Sequence, residues 1–382
     1  MVWYPLGMKI YTHVHAAEDG PLRLPFGEAW PEGHPRFLSV HGSVGAALSD
    51  LRTALGGLDG TAVHGATSCL GVMSDQGAEC NGAIGAFAIY DDDGDYGTGA
   101  ADISGDPMAA SAAATEQALA NAGRSGEAPD LIWISSAPGT EEAILGGVQS
   151  VVGTQVPIVG GSAADDAVQG DWQVFDRGTA YSNGVVVSVL FPSTDVSMSF
   201  QNGYAPEGSV GRLTKAEGRR IHEIDDRPAA AFCQTWGGGQ ATETGTPAQI
   251  LSQSTFAPLG RQIGDVASVP FYLLVHPATA YPDGSIDVFA DVTEGEELHL
   301  MTGSQDSLIS RAGRVAQQAR GGLPGDTPIA GALVVYCGGC MLAVRDRMDE
   351  AVQGINSALD HAPFLGVFTF GEQGQVLSSE NR

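Results

Sequence analysis

One supersecondary pattern occurs three times along the 382 residues, and each occurrence ends in a short turn rich in glycine and hydroxyls. The first has a β-rich run at Phe37-Leu38-Ser39-Val40, then Val44, Ala47, Leu48, Leu51 and Leu55 at helical spacing. It returns through Thr61-Ala62-Val63-His64 to Gly65-Ala66-Thr67-Ser68. The second runs from Leu131-Ile132-Trp133-Ile134 through a helix carrying Ile144, Leu145, Val148, Val151 and Val152. Val156-Pro157-Ile158-Val159 then leads to Gly160-Gly161-Ser162. The third has Ala332-Leu333-Val334-Val335-Tyr336 and a helix carrying Val344, Met348, Val352, Ile355 and Leu359. It closes through Pro363-Phe364-Leu365-Gly366-Val367 on Thr369-Phe370-Gly371-Glu372. Apolar spacings of three and four predict helices with one buried stripe, and the short flanking runs predict strands.

A strand–helix–strand connection is a right-handed crossover between parallel strands, so both strand C-termini lie on one edge of the sheet. Open α/β sheets bind ligands at that edge, where helix N-termini offer unpaired N–H groups. The candidate ligand-binding residues are Thr67, Ser68, Cys69, Gly160, Gly161, Ser162, Asp165, Asp166, Cys337, Gly371 and Glu372. They combine hydroxyls that donate or accept, carboxylates that accept from an amine, and glycines that permit close approach. The mixture suits a zwitterionic small molecule such as an amino acid. The same glycines also suit tight turns that bind nothing. No G-x-S-x-G elbow is present, and no His–carboxylate pair is placed to activate Ser68, Ser162 or Cys69, so no catalytic residue is assigned.

Asn81-Gly82 and Asn183-Gly184 each open an apolar run, which predicts turns into antiparallel strands. Asp106-Pro107 with Gly123 predicts an Ala-rich helix by N-cap, N1-proline and C-terminal glycine logic. The polar, Gly/Pro-bearing stretch around residues 193–206 marks a boundary between domains at 1–205 and 206–382. Downstream, strands are predicted at Phe271-Tyr272-Leu273-Leu274-Val275 and Ile286-Asp287-Val288-Phe289-Ala290, and an amphipathic helix over residues 305–320. The fold class is α/β, two domains built on repeated strand–helix–strand units with mixed β-sheets.

With 18 basic and 45 acidic side chains the net charge is −27, which excludes electrostatic binding to nucleic acid or anionic lipid. No apolar stretch approaches the roughly 20 residues needed to cross a bilayer. The opening segment lacks the basic region and apolar core of a signal peptide, and five scattered cysteines suit a reducing compartment, so the cytoplasm is expected. Cys337-Gly338-Gly339-Cys340 invites a redox or metal reading. A zinc site needs further ligands that no second CxxC or spaced His pair supplies, so the plainer expectation is buried or turn cysteines and no metal.

The chain resembles the FIST proteins, a bacterial sensory family with N- and C-terminal halves. In the first half the resemblance lies in Val63-His64-Gly65-Ala66-Thr67-Ser68-Cys69-Leu70-Gly71 and in Pro157-Ile158-Val159-Gly160-Gly161-Ser162-Ala163-Ala164-Asp165-Asp166. In the second it lies in Leu213-Thr214-Lys215-Ala216-Glu217-Gly218, Glu223-Ile224-Asp225-Asp226-Arg227-Pro228, Cys337 and the segment from Pro363 to Glu372. The resemblance implies a small-ligand sensor of intracellular signalling whose ligands are amino-acid-like. Its signal would pass to a separate protein such as a histidine kinase or a cyclase. It also offers a haem-binding nitric-oxide sensor as an alternative, one of nine histidines (among them His13, His15, His64, His222, His276, His299 and His361) then being the axial ligand. None of these carries a haem motif, so no cofactor is expected. An enzyme using the same polar pocket is the other alternative. Two positions depart from the family pattern. Leu70-Gly71 stands where a Gly-Glu pair is usual, and Cys340 where an arginine is usual.

Overall fold

In each of the three repeated units the two strands lie side by side and parallel. The computed structural model describes residues 2–3, 7–19, 23–31, 33–44, 55, 57–236, 241, 243–266, 269–325, 327–376 and 380–382. In the first unit β1 (Phe37–Gly42) pairs with β2 (Ala62–Thr67), Gly42 opposite Thr67. Of the helix predicted between them, Leu55 is helical and fully buried; Val44 precedes it, and Ala47, Leu48 and Leu51 lie outside the described residues. The chain continues through β3 (Val72–Ser74) and the Asn81-Gly82 turn into β4 (Ile84–Tyr90), which runs antiparallel to β1 as predicted. β5 (Asp95–Asp102) then leads to α1 (Pro107–Asn121). Asp106 caps α1 by accepting the Met108 and Ala109 N–H groups, and Gly123 follows its end at φ +73°.

In the second unit β6 (Leu131–Ser136) and β7 (Ile158–Ser162) flank α2 (Glu141–Val152), with Ser136 opposite Ser162. Ile144, Leu145 and Val148 are buried on the stripe that the spacing predicts, and Val151 and Val152 are half-buried. β8 (Val174–Phe175) follows, and β9 (Gly184–Phe191) inserts antiparallel between β5 and β6. Far downstream, after α3 (Gln305–Gly321), the third unit pairs β10 (Gly331–Cys337) with β11 (Phe364–Thr369), Cys337 opposite Thr369. Its helical segment is divided into α4 (Gly338–Val344), a 3-10 turn Arg345–Arg347 and α5 (Met348–Ala358) rather than one continuous helix. At the division the exposed Arg345 guanidinium turns to the Cys80 carbonyl at 2.7 Å and Asn81 Oδ1 at 2.8 Å. Val344, Met348, Val352, Ile355 and Leu359 are all buried.

A cyclic exchange of short strands joins the units. β3, which leaves the first unit, pairs antiparallel with β11 of the third. β8, which leaves the second, pairs with β2 of the first. β12 (Glu372–Gln373), which leaves the third, pairs with β7 of the second. Each second strand therefore has its outer edge covered by another unit, and no unit satisfies its own backbone alone. Phe37, Phe87, Leu131, Trp133, Leu333 and Leu365, contributed by all three units, share one buried cluster.

This ring explains how the chain divides. One compact unit comprises Met1–Phe200, Ala312–Met341 and Arg345–Arg382; the other comprises Gln201–Arg311 with Leu342–Val344. The chain leaves the first after Phe200 and re-enters it at Ala312 to supply the third repeat. The described strands of the second compact unit pair antiparallel, its long strand Ala205–Glu217 lying between Arg220–Ile224 and Glu297–Thr302. It is built around Leu213, Ile224, Trp236, Leu259, Val275 and Leu298.

Where the three second strands end, backbone groups of different units bond directly. Ala164 N–H donates to the Thr67 carbonyl (3.1 Å), Cys69 N–H to Phe368 (3.0 Å), Phe370 N–H to Ser162 (3.0 Å) and Ser162 N–H to Gly371 (2.8 Å). The Ser68 hydroxyl donates to the Gly71 carbonyl at 2.5 Å and accepts the Phe368 N–H at 2.8 Å. Ser68→Ala removes a fully buried partner from two backbone groups, so it should lower the unfolding free energy by about 2–4 kcal/mol. Urea denaturation measures this; a loss below about 0.5 kcal/mol, as for an ordinary surface change, would show that the junction is not a point of stability.

Candidate functional site

The strand register makes three sets of positions equivalent. Gly42, Ser136 and Cys337 end the first strands opposite Thr67, Ser162 and Thr369, and three residues further on stand Leu70, Asp165 and Glu372. The predicted residues from all three units meet here, but they do different work. Thr67, Ser68, Cys69 and Ser162 are each at most 1% exposed. The Thr67 hydroxyl accepts the Gln173 N–H at 3.0 Å, and Ser162 Oγ donates to Glu141 Oε1 at 2.7 Å and accepts from Gln373 Nε2 at 3.3 Å. A Cβ at Gly161 would lie 2.5 Å from Thr369 Cγ2 and 2.8 Å from the Gly371 carbonyl; one at Gly160 would lie 1.8 Å from the Ile134 carbonyl. Gly160 permits the two strands of the second unit to approach each other, and Gly161 permits the second and third units to do so.

The carboxylates also diverge. Asp165 is buried and accepts from the N–H groups of its own loop: Ala167 (3.0 Å), Val168, Gln169 (2.7 Å), Gly170 (2.7 Å) and Asp171 (3.0 Å). Burial opposes its charge, but these donors outweigh burial and hold the carboxyl below the ordinary aspartate range. Asp166 bridges Ser43 Oγ (2.6 Å) and the Leu70 N–H (2.7 Å), fixing Leu70 at φ +60°, a conformation glycine adopts with less strain. Glu141, in the first turn of α2, accepts the Gly139 N–H with both oxygens, at 3.0 and 3.1 Å.

Glu372 differs from all of these. It keeps partial exposure, yet its carboxyl is packed round by protein, and its described hydrogen-bond partners are the Thr369 hydroxyl (3.1 Å) and the Cys337 thiol. Burial pushes this carboxyl well above the ordinary glutamate range; Cys337 adds to the rise, and Thr369 offsets part of it. A hydrogen bond from the Cys337 thiol to the Cys340 sulfur, followed by burial, likewise raises the Cys337 thiol well above its ordinary value. Next to this pair the Phe370 ring approaches Gly338 closely enough that a Cβ there would lie 3.3 Å away. Trp172 meets Phe370 edge-on at 6.4 Å. Gln373, 5% exposed, leaves its Oε1 without a hydrogen-bond partner among the described residues, and the buried Thr140 Oγ1 does the same.

Glu141, Gln373, Thr140 and Trp172 are absent from the residues predicted by sequence. The one signal for Glu141 was an acidic residue in the first turn of a helix, just after Gly139. The histidines are placed elsewhere. His64 is fully buried and bonds Ser188 Oγ and Ser135 Oγ, each at 2.9 Å; His41 bonds Ser39 Oγ at 2.9 Å and the Ala66 backbone. Burial lowers both, His41 to about 3. His13 and His15 sit on the strand Lys9–His15 with rings 6.4 Å apart, and burial lowers His276 to about 4. Burial, then Asp166 and Asp165, push the Cys69 thiol up to about 12. Among the described residues no group of three or more His, Cys, Asp or Glu is placed to hold a metal, and no described helix is long and apolar enough to cross a membrane.

The geometry defines an α/β protein of three repeated units closed by strand exchange. The chain matches the FIST N domain over residues 37–227 and the FIST C domain over residues 229–375, and it belongs to the FIST family. FIST domains are associated with sensory signal transduction. An uncharacterised protein of Methanocaldococcus jannaschii is 32% identical over 74 residues, which span 19% of this chain and 14% of that one. The crystal structure of a cyanuric acid hydrolase from A. caulinodans is similar over 54% of this chain and 72% of its own, at 11% identity. With a TM-score of 0.27 that likeness carries no argument.

The raised Glu372 carboxyl gives a signed prediction. A group whose folded value lies above its unfolded one contributes stability below the unfolded value and loses it as pH rises through the folded one. Glu372→Gln keeps the neutral shape, so its stability relative to the parent protein should be greater at pH 8 than at pH 5. Urea titrations at the two pH values measure this; parallel profiles would show that Glu372 ionises as an ordinary surface acid.

Proposed function

We propose that this chain is a small-ligand-binding sensory protein whose ligand docks at the edge of the third repeat, against Cys337, Thr369, Gly371 and Glu372. The observation that carries the proposal is Glu372, a partly exposed residue whose carboxyl has only the Thr369 hydroxyl and the Cys337 thiol as hydrogen-bond partners among the described residues. At the equivalent positions Leu70 has no carboxyl and Asp165 is saturated by its own loop. A ligand amine would complete the partners of Glu372, and amino acids are the first class to test. In this reading the protein works in the cytoplasm and passes its state by contact to a separate protein, a histidine kinase or a cyclase. The hydrogen bonds joining the three units offer a route from the edge to the rest of the unit.

Calorimetry against the amino acids should find a ligand whose affinity falls by about 1–3 kcal/mol in Glu372→Gln, with melting of the free protein preserved. Asp166→Asn should do the reverse: it weakens the tie between Ser43 and Leu70, lowering stability while leaving affinity nearly unchanged. Equal affinity in Glu372→Gln and the parent protein would remove this edge from the site.

A further inference from the structure

We propose that the ligand of this edge is a small organic cation with N–H donors, an ammonium or a guanidinium, which docks against Glu372. The inference rests on the site proposed above and narrows its ligand.

It follows from which hydrogen-bonding groups the edge has used and which it has left. Backbone N–H groups at strand-to-helix and strand-to-loop junctions are where a ligand carboxylate would dock. Here the chain's own carboxylates already occupy them. Glu141 takes the Gly139 N–H, Asp166 takes Leu70, and Asp165 takes its loop. At the start of α4, Gly339 and Cys340 direct their N–H groups to the Cys337 sulfur. What remains is mainly acceptor. Glu372 has two oxygens against one hydroxyl and one thiol, and Gln373 Oε1 is buried without a donor. Thr140, beside Glu141, also leaves its hydroxyl oxygen without a partner among the described residues.

The electrostatics agree. The groups acting on Glu372 are Cys337 and Thr369, with no lysine or arginine among them; Cys340 acts on Cys337, and Glu141 Oε1 lies near Gly371. A zwitterion would bring its carboxylate beside Glu372 and Cys337, on which no lysine or arginine acts among the described residues, inside a chain of net charge −27. A cation meets an acceptor, with the half-buried Phe370 and Trp172 rings, packed edge-on to each other, next to it. A cation beside Glu372 favours the carboxylate, so any proton the carboxyl holds passes to the buffer as the ligand binds.

A matched series separates the possibilities, because its members share one aromatic body. Phenethylamine carries an ammonium, phenethylguanidine a guanidinium, phenylalanine adds a carboxylate to the amine, and 3-phenylpropionate carries the carboxylate alone. Calorimetry on the full chain at pH 7, in phosphate and in Tris, reads affinity and proton release together. One or both cations should bind roughly tenfold or more tightly than phenylalanine, with release of up to one proton. Glu372→Gln should lose roughly tenfold or more in affinity and all of the buffer dependence. The buffer comparison needs no variant, so it stands even if Glu372→Gln folds poorly. Phenylalanine binding as tightly as the amine, with Glu372 still required, would overturn the cationic class and leave the site in place. Cation binding unaffected by Glu372→Gln would overturn the inference, and absence of binding by this series and by the amino acids would overturn both.

Discussion

Everything in the first compact unit depends on the fact that no repeat can pair its own second strand on both sides. β2, β7 and β11 each have one parallel partner within their unit, and each needs an antiparallel strand from another. Buried N–H and C=O groups without partners would destabilise each edge, so the three repeats form as a ring or not at all. The contribution of β12 is two residues long, yet it closes the circle that β3 and β8 begin. This is why a segment beginning at Ala312 belongs with residues before Phe200, and why the division into compact units differs from the order of the family's two domains along the chain.

The same closure decides which polar groups remain for a ligand. Close approach of the second and third units requires Gly161, and closure draws the hydroxyls of Thr67, Ser68 and Ser162 into internal bonds. Three equivalent edges then become unequal. The first presents Leu70, held by Asp166; the second presents Asp165, held by its loop. The third presents Glu372 beside Cys337, with an aromatic pair next to it. A near-symmetric scaffold with one under-partnered carboxyl is a means of binding one molecule rather than three.

Much of this architecture is legible in the sequence because helices and long strands leave a periodic signal. The buried stripe Ile144, Leu145 and Val148, the Asp106-Pro107 cap and the antiparallel strands after Asn81-Gly82 and Asn183-Gly184 are where the spacing places them. The exchange is not legible, since Val174–Phe175 and Glu372–Gln373 are too short to show any alternation. Nor can sequence distinguish adjacent acids: Asp165 and Asp166 look alike as a pair, and their tasks differ because one faces its own loop and the other faces Ser43. The candidate residues of the three units meet where the second strands end. Their division into structural bonds and remaining acceptors needed the geometry, as did the discovery of Glu141 and Gln373.

Native-state hydrogen exchange tests the closed ring most directly. If the repeats form as one ring, the amides of Cys69, Ala164, Ser162 and Phe370, which bond between units, should exchange only through unfolding of the whole first unit. All four should then report the same opening free energy, and that free energy should track its global stability as denaturant is added. Exchange of Cys69, Ser162 and Phe370 through a lower-energy opening, with Ala164 still protected, would show that the third repeat detaches independently and would contradict the account.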